Sequence, residues 1–280
     1  MFYGTCHMKL THEPHATVTT SKIVLKEIRK EFSANGLVLP VLDGVDFSVG
    51  NGEFVSIIGP SGCGKSTLLN IIAGLEEPSQ GTVWLHDCEA AQRLGHVGYM
   101  HQKDLLFPWR TVLDNAILGL EVQGVSRSQA RSRAMSLTDQ FGLKGFEKLY
   151  PSSLSGGMRQ RAAFLRTVLA EKDIVLLDEP FGALDALTRA QMQEWLLDLW
   201  STFRKTIVLV THDVDEAVFL SDRIYVLTAR PGQVKLMLPV KLPRPRSYEI
   251  VTQEPFISLK AELLTAIRAE SLRAQEEPWR

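Results

Sequence analysis

The chain has 280 residues, 45% of them hydrophobic and 22% charged, which suits one large core or two modest ones and excludes wholesale disorder. Lys and Arg number 31 against 32 for Asp and Glu, so the net basic footprint of a non-specific nucleic-acid binder is missing and no nucleic-acid partner is expected. No run of about 18 apolar residues is present, and three cysteines (Cys6, Cys63, Cys88) are too few and too irregular for a disulfide scaffold or a metal knuckle.

Residues 1–20 carry His7, His12 and His15 without periodicity and read as a flexible leader. They lack the basic-then-apolar layout of a secretory signal, which points to the cytosol. From Ile23 the pattern turns strand-like, through Leu25 and Ile28 and then Val41-Leu42, Val45, Phe47 and Val49. Glu53 to Ile58 is a short apolar strand running into Gly59, and Lys65 to Leu75 has helical spacing. Gly81 to Leu85 and Val97 to Met100 are further strands. Residues from about 103 to 170 read as a mostly helical insert, with Val112 to Leu120, Ser126 to Phe141 and Gly157 to Ala170 as its helices. Ile174 to Leu177 and Ile207 to Val210 are buried-type strands, separated by an amphipathic helix from Thr188 to Trp200. Pro239 to Arg246 is expected as a surface connector before a last helix, Phe256 to about Leu272. Alternating short apolar strands and helices predict an α/β fold with parallel strands, whose ligand sites lie at the strands' carboxyl ends.

Gly59, Pro60, Ser61, Gly62, Cys63, Gly64, Lys65, Ser66 and Thr67 fit G-x-x-x-x-G-K-[ST] between a strand and a helix. The glycines let the backbone curl around an anion, Lys65 reaches the β and γ phosphates, and Ser66 offers a Mg²⁺ ligand. The strand from Ile174 delivers Asp178 as a metal partner and Glu179 to polarise an attacking water. Ser155, Gly156 and Gly157 open a helix and form a second anion-binding helix start, unless Ser155 is simply a cap before flexible glycines. Two such starts beside one phosphate loop imply that two chains face each other. Cys63, close to Lys65 and a helix start, is expected to have a lowered thiol pKa and to be open to thiol reagents.

Together these residues resemble the nucleotide-binding subunit of ABC transporters over roughly residues 23–232. Gly59 to Thr67 resembles the Walker A loop, Ile174 to Glu179 the Walker B strand, and Leu154 to Gln160 the family's signature. The resemblance implies an ABC-type P-loop NTPase with a RecA-like core, an antiparallel β subdomain and a helical subdomain. It implies ATP and Mg²⁺ as cofactors, Gln102 as the glutamine that senses Mg²⁺ and the membrane partner, and His212 as the switch histidine. Asp185 in Ala183-Leu184-Asp185 matches the dimer-contact loop, and Phe32 matches the aromatic that stacks on adenine, a core aromatic being the alternative. The expected domains are a nucleotide-binding unit over 21–235 and a linker with a helix over 236–280. His101 to Trp109, Met158, His212 to Ala217 and Ala229-Arg230-Pro231-Gly232 resemble the importers of nitrate, aliphatic sulfonates and taurine. That implies a homodimer on the cytoplasmic face of the membrane, separate permease subunits and, indirectly, a solute-binding protein. Phe107 to Trp109 would border the groove for a permease helix, packing within the helical insert being the bland alternative. An exporter subunit, or a soluble ABC-type ATPase, is the competing class.

Overall fold

The computed structural model describes residues 21–276 except positions 35, 87, 90, 91 and 183. The expected leader with its three histidines lies outside them, as does Ala183.

Two long strands, Ser21–Ala34 (β1) and Leu37–Gly50 (β2), pair antiparallel. Their alternating apolar residues meet across the ladder, Ile23 opposite Val49, Leu25 opposite Phe47 and Ile28 opposite Val45, which commits one face to the core. Phe54–Ile58 (β3) and the helix Lys65–Ala73 (α1) come next, before Gln80–Leu85 (β4) and Cys88–Glu89 (β5) complete an antiparallel sheet in the order β2-β1-β4-β5.

The central sheet adds Gly98–Met100 (β6), Ile174–Asp178 (β7), Thr206–Val210 (β8), Arg223–Leu227 (β9) and Val234–Pro239 (β10), in the order β10-β9-β3-β8-β7-β6. All but the β10-β9 pair are parallel. Every residue of β3, β7 and β8 is buried, as a parallel sheet covered on both faces requires. One face places Phe54, Ile58, Val175, Leu177, Ile207 and Leu209 in a core with the helical insert and the C-terminal helices. Val55, Ile57, Ile174, Leu176, Val208 and Val210 fill the other with α1 and the antiparallel sheet. The α/β fold with an antiparallel unit and a helical unit is the one the sequence and its resemblance implied.

Within the insert, the stretch expected as one helix is two, Val112–Ala116 (α2) and Leu118–Val122 (α3). The backbone tightens at Ile117 (φ −83°, ψ −1°), so that Ile117 and Leu120 reach the same core as Val112 and Ala116. Arg127–Leu137 (α4) follows a Ser126 cap, and Gly156–Leu169 (α5) a Ser155 cap. Ala186–Phe203 (α6), Val214–Leu220 (α7) and Glu254–Glu276 (α8) close the chain. The basic, proline-rich connector lies only partly at the surface: Pro239, Lys241, Pro243 and Pro245 are exposed, whereas its other members turn inward. Val240, Leu242 and Arg246 are buried, and the Arg246 guanidinium donates to the carbonyls of Val218, Phe219 and Ser221 at the end of α7. Terminal helix carbonyls have no partner within the helix, and an arginine from elsewhere supplies it.

Candidate active site

The register of the central sheet assembles the site. Asp178 lies opposite Val210 and Val210 opposite Ile57, so β7, β8 and β3 end in line. The loop after β3, the acids closing β7 and the histidine after β8 therefore share one edge.

The loop from Gly59 to Gly64 turns into α1. Gly64 takes φ 104°, and a Cβ there would come within 2.7 Å of Leu42, so glycine is required both by conformation and by space. Lys65 is only 7% exposed, and its ammonium donates to the carbonyls of Gly59 (2.8 Å) and Pro60 (2.9 Å). The Ser66 hydroxyl donates to Asp178 Oδ1 at 3.2 Å. Burial pushes the Asp178 carboxyl above its usual range, and the charge of Glu179 adds to the effect against the Ser66 hydrogen bond.

Glu179 carries the left-handed φ of 46°, while its amide still extends the β7-β8 ladder to the Val210 carbonyl at 2.8 Å. A non-glycine residue in that region costs on the order of 1–3 kcal/mol and such residues cluster at functional sites. The conformation turns the carboxylate toward two neighbours that converge on a single oxygen. Gln102 Nε2 donates to Glu179 Oε2 at 3.0 Å, and His212 Nδ1 stands 3.3 Å from the same atom. A cavity of about 600 Å³ is lined by Phe32, Ser61, Gly62, Gly64, Lys65, Ser66, Thr67, Gln102, Glu179 and His212, a volume that suits a small-molecule ligand.

Ser155 and Asp185 form a second group. Each caps a helix, Ser155 accepting from the Met158 amide (3.3 Å) and Asp185 from the Thr188 amide (3.0 Å). A Cβ on Gly156 would sit 3.8 Å from Leu184, and one on Gly157 3.1 Å from Thr188, so the turn rests against the Asp185 segment. Neither Ser155 nor Asp185 lines the cavity.

Cys63 departs from expectation. Its side chain is 1% exposed, and burial raises the thiol pKa despite Lys65 nearby. Removing the thiolate from water outweighs the attraction of the cation.

Residues 42–182 match the family model described as ABC transporter. The chain is 43% identical to the formylaminopyrimidine import ATP-binding protein of Halalkalibacterium halodurans, over 90% of this chain and 98% of that protein. It is 46% identical to an aliphatic sulfonates import ATP-binding protein of Bacillus licheniformis, over 78% and 84%. Among solved structures, a dimeric bacterial ABC transporter cassette superposes with a TM-score of 0.70 at 32% identity, covering 79% of this chain and all of that one. This chain is an ABC transporter ATP-binding subunit.

Membership in this ATPase family implies ATP and Mg²⁺, and the donors present fit both. A hydroxyl and a carboxylate 3.2 Å apart are hard oxygen ligands of the kind Mg²⁺ takes alongside phosphate, and a buried carboxyl with a raised pKa is one that a cation would stabilise.

Several residues of the site left no signal that spacing could detect. The Tyr99 hydroxyl bonds Asn70 at 3.0 Å, and burial together with the adjacent Asp178 charge pushes its pKa up. Arg159 donates to the Asp104 carboxylate at 3.1 Å, and Arg166 to the carbonyls of Leu105 and Asp104, both at 2.7 Å. These two arginines tie α5 to the loop that follows Gln102. Arg230 also lines the cavity; the sequence marked it only through the Ala229-Arg230-Pro231-Gly232 resemblance.

Proposed function

We propose that this chain hydrolyses MgATP as one half of a nucleotide-sandwich dimer and so powers import of a small anionic solute, such as nitrate, an aliphatic sulfonate or taurine, through separate permease subunits. The observation that carries hydrolysis is the convergence of Gln102 and His212 on Glu179 beside Lys65, Ser66 and Asp178. Lys65 exchanges its two loop carbonyls for the β and γ phosphates, which the N–H groups from Ser61 to Thr67 also cradle. Ser66, Asp178 and Gln102 would hold Mg²⁺, which neutralises phosphate charge when bound. Glu179 accepts the proton of the attacking water, and His212 orients the γ phosphate and keeps the carboxylate in place. Phe32, 37% exposed on the cavity wall, is available to stack on adenine, which favours that role over a core one.

Ser155, Gly156, Gly157 and Asp185 lie outside the cavity of their own chain. In the proposed dimer they cover the nucleotide held by the partner. Import through a permease is supported by the relatives named for import and by the surface beyond Gln102. There Trp109 is 71% exposed, stacked on Phe107 with ring centres 5.2 Å apart. The Asn115 side chain bonds the Phe107 amide and carbonyl and holds that loop rigid. Such an aromatic shelf suits an amphipathic permease helix at the cytoplasmic face of the membrane. Among the described residues no helix is long and apolar enough to cross a membrane.

The test is Glu179→Gln. ATP binding is expected to persist, hydrolysis to fall by at least about 100-fold, and a dimer to accumulate with MgATP in gel filtration. Full turnover by this variant would remove Glu179 from the mechanism. Reconstitution with the co-purifying permease then separates import, where solute delivered from outside stimulates the ATPase, from export, where solute from the cytoplasmic side does.

A further inference from the structure

The C-terminal helix α8 lies against the loop that backs the phosphate loop. Glu270, on α8, is 1% exposed. One of its oxygens accepts from Lys235 at 2.8 Å and Arg273 at 3.0 Å, while the other accepts the backbone amide of Ala229 at 3.0 Å. A buried carboxylate is tolerated only when it is fully partnered, and these three donors supply that. The third of them fixes backbone, and the next residue along that backbone is Arg230.

Arg230 is exposed and, among the described residues, pairs with no carboxylate. Its Nε donates to the Gly62 carbonyl at 3.2 Å, which lays the guanidinium along the phosphate loop. The residue borders two spaces, the cavity of about 600 Å³ that contains Lys65, Ser66 and Thr67, and a polar one of about 490 Å³ between the phosphate loop and α8. Nothing in its own side-chain contacts beyond the Gly62 bond decides which space it serves. That bond holds the guanidinium beside the phosphate loop, and Glu270 fixes the backbone of the residue before Arg230.

We infer that Arg230 is a second cationic contact for the phosphate chain of the bound nucleotide, set in place by Glu270 as a positioning residue; this rests on the ATP-binding reading above. Lys65 approaches the phosphates from inside the loop, Arg230 from its outer side across Gly62. A guanidinium with four N–H groups uncommitted matches phosphate oxygens better than an ammonium would.

The experiment measures MgATP affinity by calorimetry, together with steady-state ATPase, on the full chain. Arg230→Ala is expected to weaken MgATP binding about tenfold and raise KM alike, with kcat changed less than about twofold; Arg230→Lys recovers part of the loss. The affinity of Arg230→Ala falls less steeply with added salt than that of the wild type. Glu270→Ala raises KM by several fold, and this effect disappears in an Arg230→Ala background because the two act in series. Glu270→Gln, which keeps an acceptor for the Ala229 amide, stays closer to the wild type. Arg230 is exposed, so its substitution tests the contact without unfolding the chain. Unchanged affinity in Arg230→Ala overturns the assignment, and a Glu270→Ala effect of equal size in both backgrounds overturns the positioning role. Failure of the wild type itself to bind MgATP would instead overturn the ATP-binding reading.

Discussion

Replacing Glu216 by glutamine is expected to stabilise the protein above mildly acidic pH and to flatten the pH dependence of its unfolding. Glu216 lies on α7, four residues after His212, and is 3% exposed. Its Oε1 has no hydrogen-bond partner. Burial, reinforced by the charge of Asp213, pushes its pKa from 4.5 up to about 8, against the pull of Arg189, Thr211 and Gln193. The folded state thus keeps a proton that the unfolded chain releases. Stability contributed by this group is complete below pH 4.5 and is lost as pH rises toward 8. Each pH unit in that window costs about 1.4 kcal/mol, so between pH ~5.5 and ~7.5 the wild type loses about 3 kcal/mol that Glu216→Gln retains. Urea unfolding followed by circular dichroism across this range measures both proteins, and the difference between them cancels the histidines that titrate in common. Parallel stability curves for the two proteins, or a steeper decline in the variant, would refute the argument that burial holds Glu216 protonated.

Three further outcomes follow from the site. Asp178→Asn is expected to raise the melting temperature of the nucleotide-free chain, because burial makes the native carboxylate costly to ionise at neutral pH, and to abolish Mg²⁺-dependent ATPase activity; a lower melting temperature would contradict the burial argument. Cys63 is expected to react with thiol reagents far more slowly in the native protein than in urea at pH 8, as site-resolved mass spectrometry would read, and fast native labelling would show the thiol to be accessible. Gly232→Ala would bring a Cβ to 2.2 Å from the Cys63 carbonyl and force the phosphate loop to move. It should destabilise the fold by about 1–3 kcal/mol and weaken ATP binding, with calorimetry and thermal unfolding as the checks.

The central sheet was legible because β3, β7 and β8 are buried on both faces and therefore appear as uninterrupted apolar runs. The site was legible for a related reason: loop, acids and histidine each follow one of those runs directly, so finding the strand places the residue. Legibility failed where a long-range partner decides the outcome. Arg246 sits in a segment whose prolines and charges suggest solvent, yet the unsatisfied carbonyls of α7 draw it inside. Cys63 has a cation and a helix start as near neighbours in sequence, while the desolvation that dominates its pKa comes from the surrounding core. The division of 112–122 into two helices likewise depends on where Ile117 finds its core neighbours, which periodicity within the segment does not reveal.

The two arginines that tie α5 to the loop after Gln102 make a mechanical linkage of a particular kind. α5 has 14 residues and is a rod of about 21 Å. Arg159 and Arg166 stand roughly 10 Å apart along it and grip adjacent residues, Asp104 and Leu105. A rod held at one point pivots; held at two, it must follow its anchor in tilt as well as in position. A displacement of the Asp104-Leu105 segment would then carry the whole rod with it, including Ser155 one turn beyond Arg159, so that a shift of this loop and a shift of the helix start are one motion.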